Sequence, residues 1–214
     1  VYFGAPMEAL QLQAILEFLL KNGTIVKANI GGDTVNEFSS PGYLIPKNKP
    51  DSAPRLVINF QAINQVIAAE PAILPSADSI IHGLRDAYFY SVNDISNAFH
   101  SVSIDAASRE LTAFSVPVGG TYQHTCLPTG MKTSPEALNR IMHKAIHFKP
   151  DFDKNGKEQW NKDKTLKMVY DPIPQCQFLY DDILCWSTAK ETYELSVKEH
   201  FRILEKVISR LAYH

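Results

Sequence analysis

The sequence predicts an α+β fold, in which helices and mostly antiparallel strands are mixed along the chain. Apolar residues recur at helical spacing in some segments and form short strand-like runs in others, with turn-forming residues between them. These segments do not follow a regular strand–helix–strand alternation, which disfavours a parallel α/β sheet. A chain of 214 residues is long enough for one large domain or two interlocked subdomains.

The first half of the chain is predicted to contain one helix and three strands. Residues 7–21 carry leucine and isoleucine at i, i+3, i+4 and i+7, and the following Asn22-Gly23 is a typical helix end. Two strand-like runs, 43–46 and 55–60, are separated by a stretch rich in Asn, Pro, Asp and Ser. A third run, 88–95, closes on an aspartate, so an acidic side chain is expected near the end of that strand.

The second half is predicted to contain a hairpin and two helices. Runs 111–116 and 121–126 flank a glycine-containing turn. Ser134 is a good N-cap and is followed by Pro, so a helix is predicted to begin there. A final helix is predicted to open with a capping box between Thr188 and Glu191. We expect the apolar positions of that helix to face the core, namely Tyr193, Val197, Phe201, Leu204, Ile208 and Leu211.

Composition restricts the class of protein. No apolar run reaches membrane-spanning length and no signal peptide opens the chain, so we expect no membrane partner. The net charge of −2 does not indicate a strongly basic nucleic-acid binder, although a local basic groove is compatible with that total. Three cysteines without metal-ligand spacing predict free thiols in a reducing compartment. Because the chain starts at Val1 and not Met, we expect it to be a piece of a longer protein.

Two adjacent aspartates carry the strongest chemical signal. Asp181 and Asp182 lie between two apolar runs that each predict a short buried strand, so the pair is expected at the tip of a hairpin. Like charges held side by side repel unless a cation compensates, and carboxylate oxygens suit Mg²⁺. Two-metal chemistry on phosphates needs a further carboxylate, for which Asp94 is the best candidate. The alternative, that Asp94 only caps the following turn, is equally compatible with the sequence.

Four sequence blocks, in this order, resemble the reverse transcriptases of retroviruses and LTR retroelements. The first block is similar to the family's fingers hairpin and consists of Ser40-Pro41-Gly42-Tyr43-Leu44-Ile45-Pro46-Lys47 followed by Pro54-Arg55-Leu56-Val57-Ile58-Asn59-Phe60-Gln61-Ala62-Ile63-Asn64. The second block, Asp94-Ile95-Ser96-Asn97-Ala98-Phe99, resembles motif A of that family. The third, Leu127-Pro128-Thr129-Gly130-Met131-Lys132-Thr133-Ser134-Pro135, resembles motif B, and the fourth, Leu179-Tyr180-Asp181-Asp182, resembles motif C. Each block alone is a weak signal, whereas four in the right order indicate this family.

The resemblance implies a right-hand polymerase architecture with fingers and a palm, the palm having an antiparallel sheet packed on helices. Fingers are expected at 1–73 together with 102–133, and the palm at 74–101 together with 134–214. The polar, lysine-rich stretch 149–167 is expected to be a surface insertion in the palm. The chain ends before the family's thumb would appear, so no thumb is expected within it.

The resemblance also implies a reaction, the template-directed transfer of dNTPs to a primer 3′-hydroxyl. Asp94, Asp181 and Asp182 would be the catalytic carboxylates and would hold two Mg²⁺ ions, with Mn²⁺ as an alternative, together with the backbone carbonyl of Ile95. Lys49 and Arg55 would meet the triphosphate of the incoming nucleotide.

Further residues are expected around the nucleotide and the primer. Phe99 would lie under the sugar and exclude a ribose 2′-hydroxyl. Thr129, where many members carry Gln, and Gly130 would line the nucleotide site. Lys132 and Tyr180 would contact template or primer, Tyr180 being bulkier than the residue usual before the aspartate pair.

The implied partners are an RNA or DNA template with its primer and the remainder of a polyprotein that includes a thumb and ribonuclease H, while the oligomeric state stays open. The implied location is intracellular: the cytoplasm, a particle within it, or the nucleus. A rival interpretation is a catalytically silent reverse-transcriptase-like domain retained as a scaffold or binding module. A third, an RNA-dependent RNA polymerase, is disfavoured by Phe99.

Overall fold

The computed structural model confirms the predicted α+β class and divides the chain into two compact units. Unit 1 comprises Val1–Glu70 and Asn97–Pro135, and unit 2 comprises Pro71–Ser96 and Glu136–His214. The structure describes residues 6–28, 39–46, 53–68, 75–117 and 120–212. Lys49 and most of the turn between the two predicted fingers strands lie outside the described residues.

Seven α-helices and ten strands are present in the described part of the chain. The helices are α1 (Pro6–Lys21), α2 (Gln61–Val66), α3 (Ala77–Gly83), α4 (Ala98–Ser101), α5 (Ala106–Arg109), α6 (Ser134–His147) and α7 (Tyr193–Leu211). The strands are β1 (Ile25–Lys27), β2 (Ser40–Ile45), β3 (Arg55–Ile58), β4 (Ala87–Asp94), β5 (Phe114–Val116), β6 (Gly120–His124), β7 (Phe148–Pro150), β8 (Met168–Tyr170), β9 (Cys176–Leu179) and β10 (Asp182–Thr188). None of the described helices is long and apolar enough to cross a membrane.

Unit 1 is built on a five-stranded sheet in the order β1-β6-β5-β2-β3. All its pairings are antiparallel except that of β2 with β5. Gly42 allows β2 to approach β5 closely, because a Cβ there would lie 2.9 Å from a methyl carbon of Val116. This close approach brings the hairpin β2–β3 against the rest of the sheet.

The core of unit 1 combines the first helix with this sheet. The predicted helix over 7–21 is confirmed as α1, which ends before a glycine with positive φ, Gly23. Its leucines pack in one buried cluster with strand residues, formed by Leu12, Leu16, Ile25, Phe114, Val116 and Tyr122. Burial of these side chains, each contributing about 1.5–3 kcal/mol, is the main force that holds α1 on the sheet.

Unit 2 is built on a three-stranded antiparallel sheet in the order β4-β10-β9. One face of this sheet is buried and includes Phe178, Ile183 and Cys185. On the opposite face, Tyr90 and Val92 of β4 are exposed. Side chains alternate between the faces of a strand, so α7 packs on one face of this sheet, while on the other face β4 is exposed and Trp186 of β10 is buried.

Helix α7 lies under this sheet, but with a face different from the one predicted. Tyr193, Phe201 and Ile208, expected in the core, are 69%, 65% and 67% exposed. The buried side chains are instead Ser196, His200, Ile203, Val207 and Arg210. Two of these polar side chains are buried because they have polar partners: His200 bonds to two serines of the sheet, and Arg210 to Asp171.

Two further local predictions are wrong. The helix cap is Thr192, whose hydroxyl oxygen accepts a hydrogen bond from the Leu195 amide, whereas Thr188 belongs to strand β10. Of the run 111–116, only Phe114–Val116 is a strand, because 110–112 forms a 3₁₀ turn. That turn lets the Thr112 hydroxyl accept a hydrogen bond from the His124 amide.

The stretch 149–167 forms a small arm between β7 and β8. Isolated bridges join Phe152 to Glu158 and Trp160 to Leu166, and Gly156 supplies a positive φ of 78° in the first of these turns. The Asp153 carboxylate accepts two backbone hydrogen bonds in the same turn. These local bonds fold the arm with few apolar contacts, as is typical of a surface segment.

Candidate active site

The two adjacent aspartates lie at the end of the hairpin β9–β10, within unit 2. Leu179 pairs with Asp182, so Tyr180 and Asp181 alone form the turn. Tyr180 adopts the left-handed conformation, with φ of 58°, which costs a non-glycine residue roughly 1–2 kcal/mol. The tight turn places Asp181 at the tip and Asp182 at the first position of β10.

Strand β4 brings the third acid to the same edge of the sheet. Asp94, its last residue, is the register partner of Asp182. The Ile95 amide donates to the Asp181 carbonyl at 2.9 Å, a bond that flanks the Asp94–Asp182 pair and makes it a non-hydrogen-bonded pair. Side chains of such pairs lie on one face with Cβ atoms about 4.5–5.5 Å apart, and like charges so placed repel.

The three carboxylates fit a divalent metal in their donor chemistry and their access to solvent. All are hard oxygen donors, Asp94 and Asp182 are exposed and Asp181 is half-buried. Within the described residues, however, no three acidic, histidine or cysteine side chains are gathered closely enough to hold a metal ion in this conformation. The backbone therefore brings the acids to one edge, while their side chains are not yet arranged as a coordination shell.

A buried histidine of α7, which the sequence analysis did not single out, bonds to both β4 and β10. His200 of α7 contacts the Ser91 hydroxyl of β4 through Nε2 at 2.6 Å and the Ser187 hydroxyl of β10 through Nδ1 at 3.2 Å. Burial lowers the pKa of His200, which favours the neutral ring. The sequence signal that could have identified His200 as a buried residue is its spacing of three and seven positions from Ile203 and Val207, which places all three on one side of the helix.

The other predicted residues of motif A divide between the units. Ile95 follows β4 in unit 2, whereas Phe99 lies in the first turn of α4 in unit 1, where it is half-buried. Asn97 enters α4 with a positive φ of 54°, a conformation that Asn tolerates better than most residues. The small side chain of Ala98 is buried beside it.

The motif B loop of unit 1 is fixed by an asparagine of the fingers segment. The Asn64 side chain donates to the Gly130 carbonyl at 2.9 Å and accepts from the Lys132 amide at 2.8 Å. Gly130 has a positive φ of 94°, which explains its residue type. Thr129 precedes it and is exposed. Sequence reasoning assigned no role to Asn64, because its partners lie more than sixty residues away.

One of the two predicted triphosphate ligands, Arg55, lies on the hairpin β2–β3. Arg55 is the exposed first residue of β3 and pairs with Ile45 of β2. Lys49 falls outside the described residues. The guanidinium of Arg55 is thus available to an anionic ligand on the surface of unit 1.

Comparison with solved structures identifies the architecture. The chain is similar to the foamy viral protease–reverse transcriptase in complex with double-stranded DNA, with a TM-score of 0.68 and 26% identity, over 99% of this chain and 30% of the other. The same viral enzyme in complex with an RNA/DNA hybrid gives a TM-score of 0.68 and 26% identity, over 99% of this chain and 23% of the other. The fold is that of the fingers and palm of a right-hand polymerase.

The sequence comparisons define the family. Residues 45–214 match the model of the family described as reverse transcriptase (RNA-dependent DNA polymerase), and the chain belongs to that family. It is 35% identical over 122 residues to the retrovirus-related Pol polyprotein from transposon 412 of Drosophila melanogaster. The aligned part covers 55% of this chain and 10% of that protein. The chain thus spans less than a third of each of these relatives.

Proposed function

We propose that this chain is the fingers and palm part of an RNA-directed DNA polymerase, which adds dNTPs to a primer 3′-hydroxyl on an RNA or DNA template. The observation that carries the proposal is the register that sets Asp182 opposite Asp94, with Asp181 tied to Ile95 by a backbone hydrogen bond. A folded domain gains nothing from like charges placed directly opposite each other, whereas a metal-dependent site needs them.

We assign the fingers to 1–73 and 102–133 and the palm to 74–101 and 134–214. The compact units support this division, because the chain passes from one to the other within a few residues of the same positions. The arm over 149–167 is assigned as a surface insertion in the palm, consistent with its local hydrogen bonds.

The catalytic carboxylates in this proposal are Asp94, Asp181 and Asp182, which would hold two Mg²⁺ ions, or Mn²⁺, together with the Ile95 carbonyl. When bound, such ions favour deprotonation of the primer hydroxyl and stabilise the charge that develops on the triphosphate. Asp181 lies in the two-residue turn and Asp182 directly follows it on β10, so both carboxylates lie where the hairpin ends and can reorient without a change of register.

The remaining roles follow from side-chain chemistry. Arg55 and Lys49 would bind the triphosphate of the dNTP, Arg55 through its planar fork and Lys49 as a point charge. Phe99 would exclude a ribose 2′-hydroxyl, which makes dNTPs the substrates. Thr129 and Gly130 would line the nucleotide site, on a loop that Asn64 holds in place.

Template and primer are the proposed macromolecular partners. Lys132 would contact a nucleic-acid phosphate, and Tyr180, at the hairpin tip and 37% exposed, would contact the primer. Since the relatives are polyproteins much longer than this chain, we propose that a thumb and ribonuclease H accompany it in the parent protein. An intracellular location, in the cytoplasm, in a particle within it or in the nucleus, would fit such a role.

A second candidate is a reverse-transcriptase-like domain that serves as a scaffold without turnover. The observation in its favour is that the described acids are not gathered into a metal-binding group. The two candidates differ in whether the acids bind a divalent ion and support extension.

Primer extension on poly(rA)/oligo(dT) with Mg²⁺ or Mn²⁺ tests the proposal, both on this chain and on the chain within its full-length polyprotein. We expect extension by the wild type and a loss of at least about a hundredfold in Asp181→Asn, because metal ions contribute several kcal/mol to such transition states. Glu205→Gln is the matched control, since it removes an exposed carboxylate elsewhere in unit 2. No extension by either carboxylate-intact protein would refute the polymerase proposal.

Two further measurements separate the candidates. Mn²⁺ binding, followed by electron paramagnetic resonance, should weaken in Asp94→Asn and Asp182→Asn if these residues are metal ligands. Phe99→Ala should raise incorporation of rNTPs relative to dNTPs. Metal binding without extension in either protein would support the scaffold.

A further inference from the structure

Two buried cysteines face each other beneath the hairpin that carries the aspartates. Cys176 of β9 and Cys185 of β10 are register partners, and their Sγ atoms lie 3.8 Å apart. Both are free thiols, 4% and 0% exposed. Catalysis as proposed above makes no use of either.

The backbone geometry at this pair suits a disulfide. The Trp186 amide donates to the Gln175 carbonyl at 3.0 Å, so Cys176 and Cys185 form a non-hydrogen-bonded pair. Cα atoms of such pairs lie about 4.5 Å apart, within the span of about 4.4–6.8 Å that disulfides bridge. A bond between the two sulfurs therefore needs rotation of side chains and a small change of strand twist, but no change of register.

The two thiols differ in their chemistry. The hydrogen bond between them raises the pKa of Cys176, and burial raises it further. The same hydrogen bond lowers the pKa of Cys185, since the Cys176 thiol stabilises a Cys185 thiolate. Cys185 is therefore the thiol that deprotonates first and attacks, and Cys176 remains as the resolving thiol.

We propose that Cys176 and Cys185 form a reversible thiol–disulfide site on the catalytic hairpin, with hydroperoxides as the oxidant. The Cys185 thiolate attacks a peroxide oxygen, the O–O bond breaks, and the leaving hydroxide takes up the proton that Cys185 had released, which gives a sulfenic acid and one water. The Cys176 sulfur then attacks the Cys185 sulfur, the S–O bond breaks, and the leaving hydroxide takes the Cys176 proton to form the second water. Overall, two thiols are oxidised by two electrons and one hydrogen peroxide is reduced to two waters.

A consequence for catalysis is expected because Cys185 lies only three residues from Asp182 on β10. A disulfide would draw the two sulfurs from 3.8 Å to about 2 Å and fix the twist at the base of the hairpin. The acids at its tip would then be held in one arrangement. This part of the inference rests on the proposed polymerase function, whereas disulfide formation does not.

Thiol counting and peptide mapping test the chemical step. The folded chain is treated with hydrogen peroxide, quenched by alkylation under denaturing conditions and mapped by mass spectrometry. We expect free thiols to fall from three to one, with a Cys176–Cys185 crosslink lacking two hydrogens and with Cys126 still alkylated. Cys126 is the internal control, because it is also buried but has no cysteine partner among the described residues. Dithiothreitol should restore all three thiols.

Three results would overturn the proposal: three unchanged thiols in the folded chain, loss of Cys126 as fast as the pair, or a crosslink that forms only after unfolding. Cys185→Ser should keep two free thiols under the same treatment, and circular dichroism checks its fold. If that variant does not fold, the wild-type map alone decides. Extension activity that changes on oxidation and returns on reduction would link the site to catalysis, and unchanged activity would leave a thiol–disulfide site without that role.

Discussion

Acid should destabilise unit 1 through one buried histidine, His124 of β6. Its side chain is 6% exposed, with ring centroids 5.3 Å from Phe114 and 6.4 Å from Phe60, and neither ring nitrogen has a hydrogen-bond partner. Burial, reinforced by the charge of His100, lowers the pKa of His124 from 6.5 to about 4. The folded state therefore holds this ring neutral at a pH where the unfolded chain protonates it.

The sign and size of the effect follow from proton linkage. Above about pH 6.5 neither state is protonated and the histidine does not penalise folding. As pH falls from 6.5 towards 4, the unfolded state gains a proton that the folded state does not, so stability is lost. A separation of about 2.5 pH units at about 1.4 kcal/mol each gives a loss of about 3.4 kcal/mol, of which about 2 kcal/mol is lost by about pH 5. That is a large share of the stability of an ordinary domain.

Urea unfolding between about pH 7 and pH 4.5, followed by circular dichroism, measures this loss for the wild type and His124→Phe. The variant keeps an aromatic ring against Phe114 and removes the titrating nitrogens, so its free energy of unfolding should fall less by about 2 kcal/mol over this range. His82→Gln, which changes an exposed histidine of α3, is the matched control and should follow the wild type. Parallel pH profiles for wild type and His124→Phe would refute the reasoning.

Three other substitutions test features of the fold by urea unfolding. Gly42→Ala should destabilise by about 1–3 kcal/mol, because the added Cβ would lie 2.9 Å from a Val116 methyl carbon, and an unchanged midpoint would contradict this close approach. Thr192→Ala should lower the free energy of unfolding by about 1 kcal/mol, because it removes the cap of α7, whereas Thr188→Ala removes no cap and should cost less. A larger loss in Thr188→Ala than in Thr192→Ala would support the capping box predicted from the sequence. Tyr180→Gly should not destabilise the hairpin, because it relieves a positive φ of 58°, and a clear loss of stability would contradict this account of the turn.

Local sequence patterns predicted which helices and strands form better than they predicted which side of each element is buried. The first helix and the hairpin that carries Asp181 and Asp182 follow from spacing and turn residues, which act within a few positions. Helix α7 carries two stripes, and the more apolar one, with Phe201 and Ile208, points away from the sheet. Hydrophobicity alone therefore predicted the wrong buried stripe. Burial of His200 and Arg210 depends on polar partners from distant parts of the chain, which the helix sequence does not reveal.

The same distinction applies to the candidate site. Asp181 and Asp182 were predictable from their flanking strands, and Asp94 from the end of its own strand. That Asp94 stands opposite Asp182, in a non-hydrogen-bonded pair, depends on strand register, which no local pattern specifies. Asn64 likewise bonds to the loop of Gly130 from a distant part of the sequence, and no local pattern predicts such a contact.

The pairing of β1 with β6 has a consequence for how the chain is made. Ile25 aligns with His124, so α1 and β1 leave the ribosome about a hundred residues before the strand they pack against, a wait of about 5–20 s at 5–20 residues per second. During that interval Leu12, Leu16 and Ile25 lack the partners that bury them. Newly synthesised chains should therefore engage chaperones early, and slower translation after β1 should lower the soluble yield more than slower translation after β6.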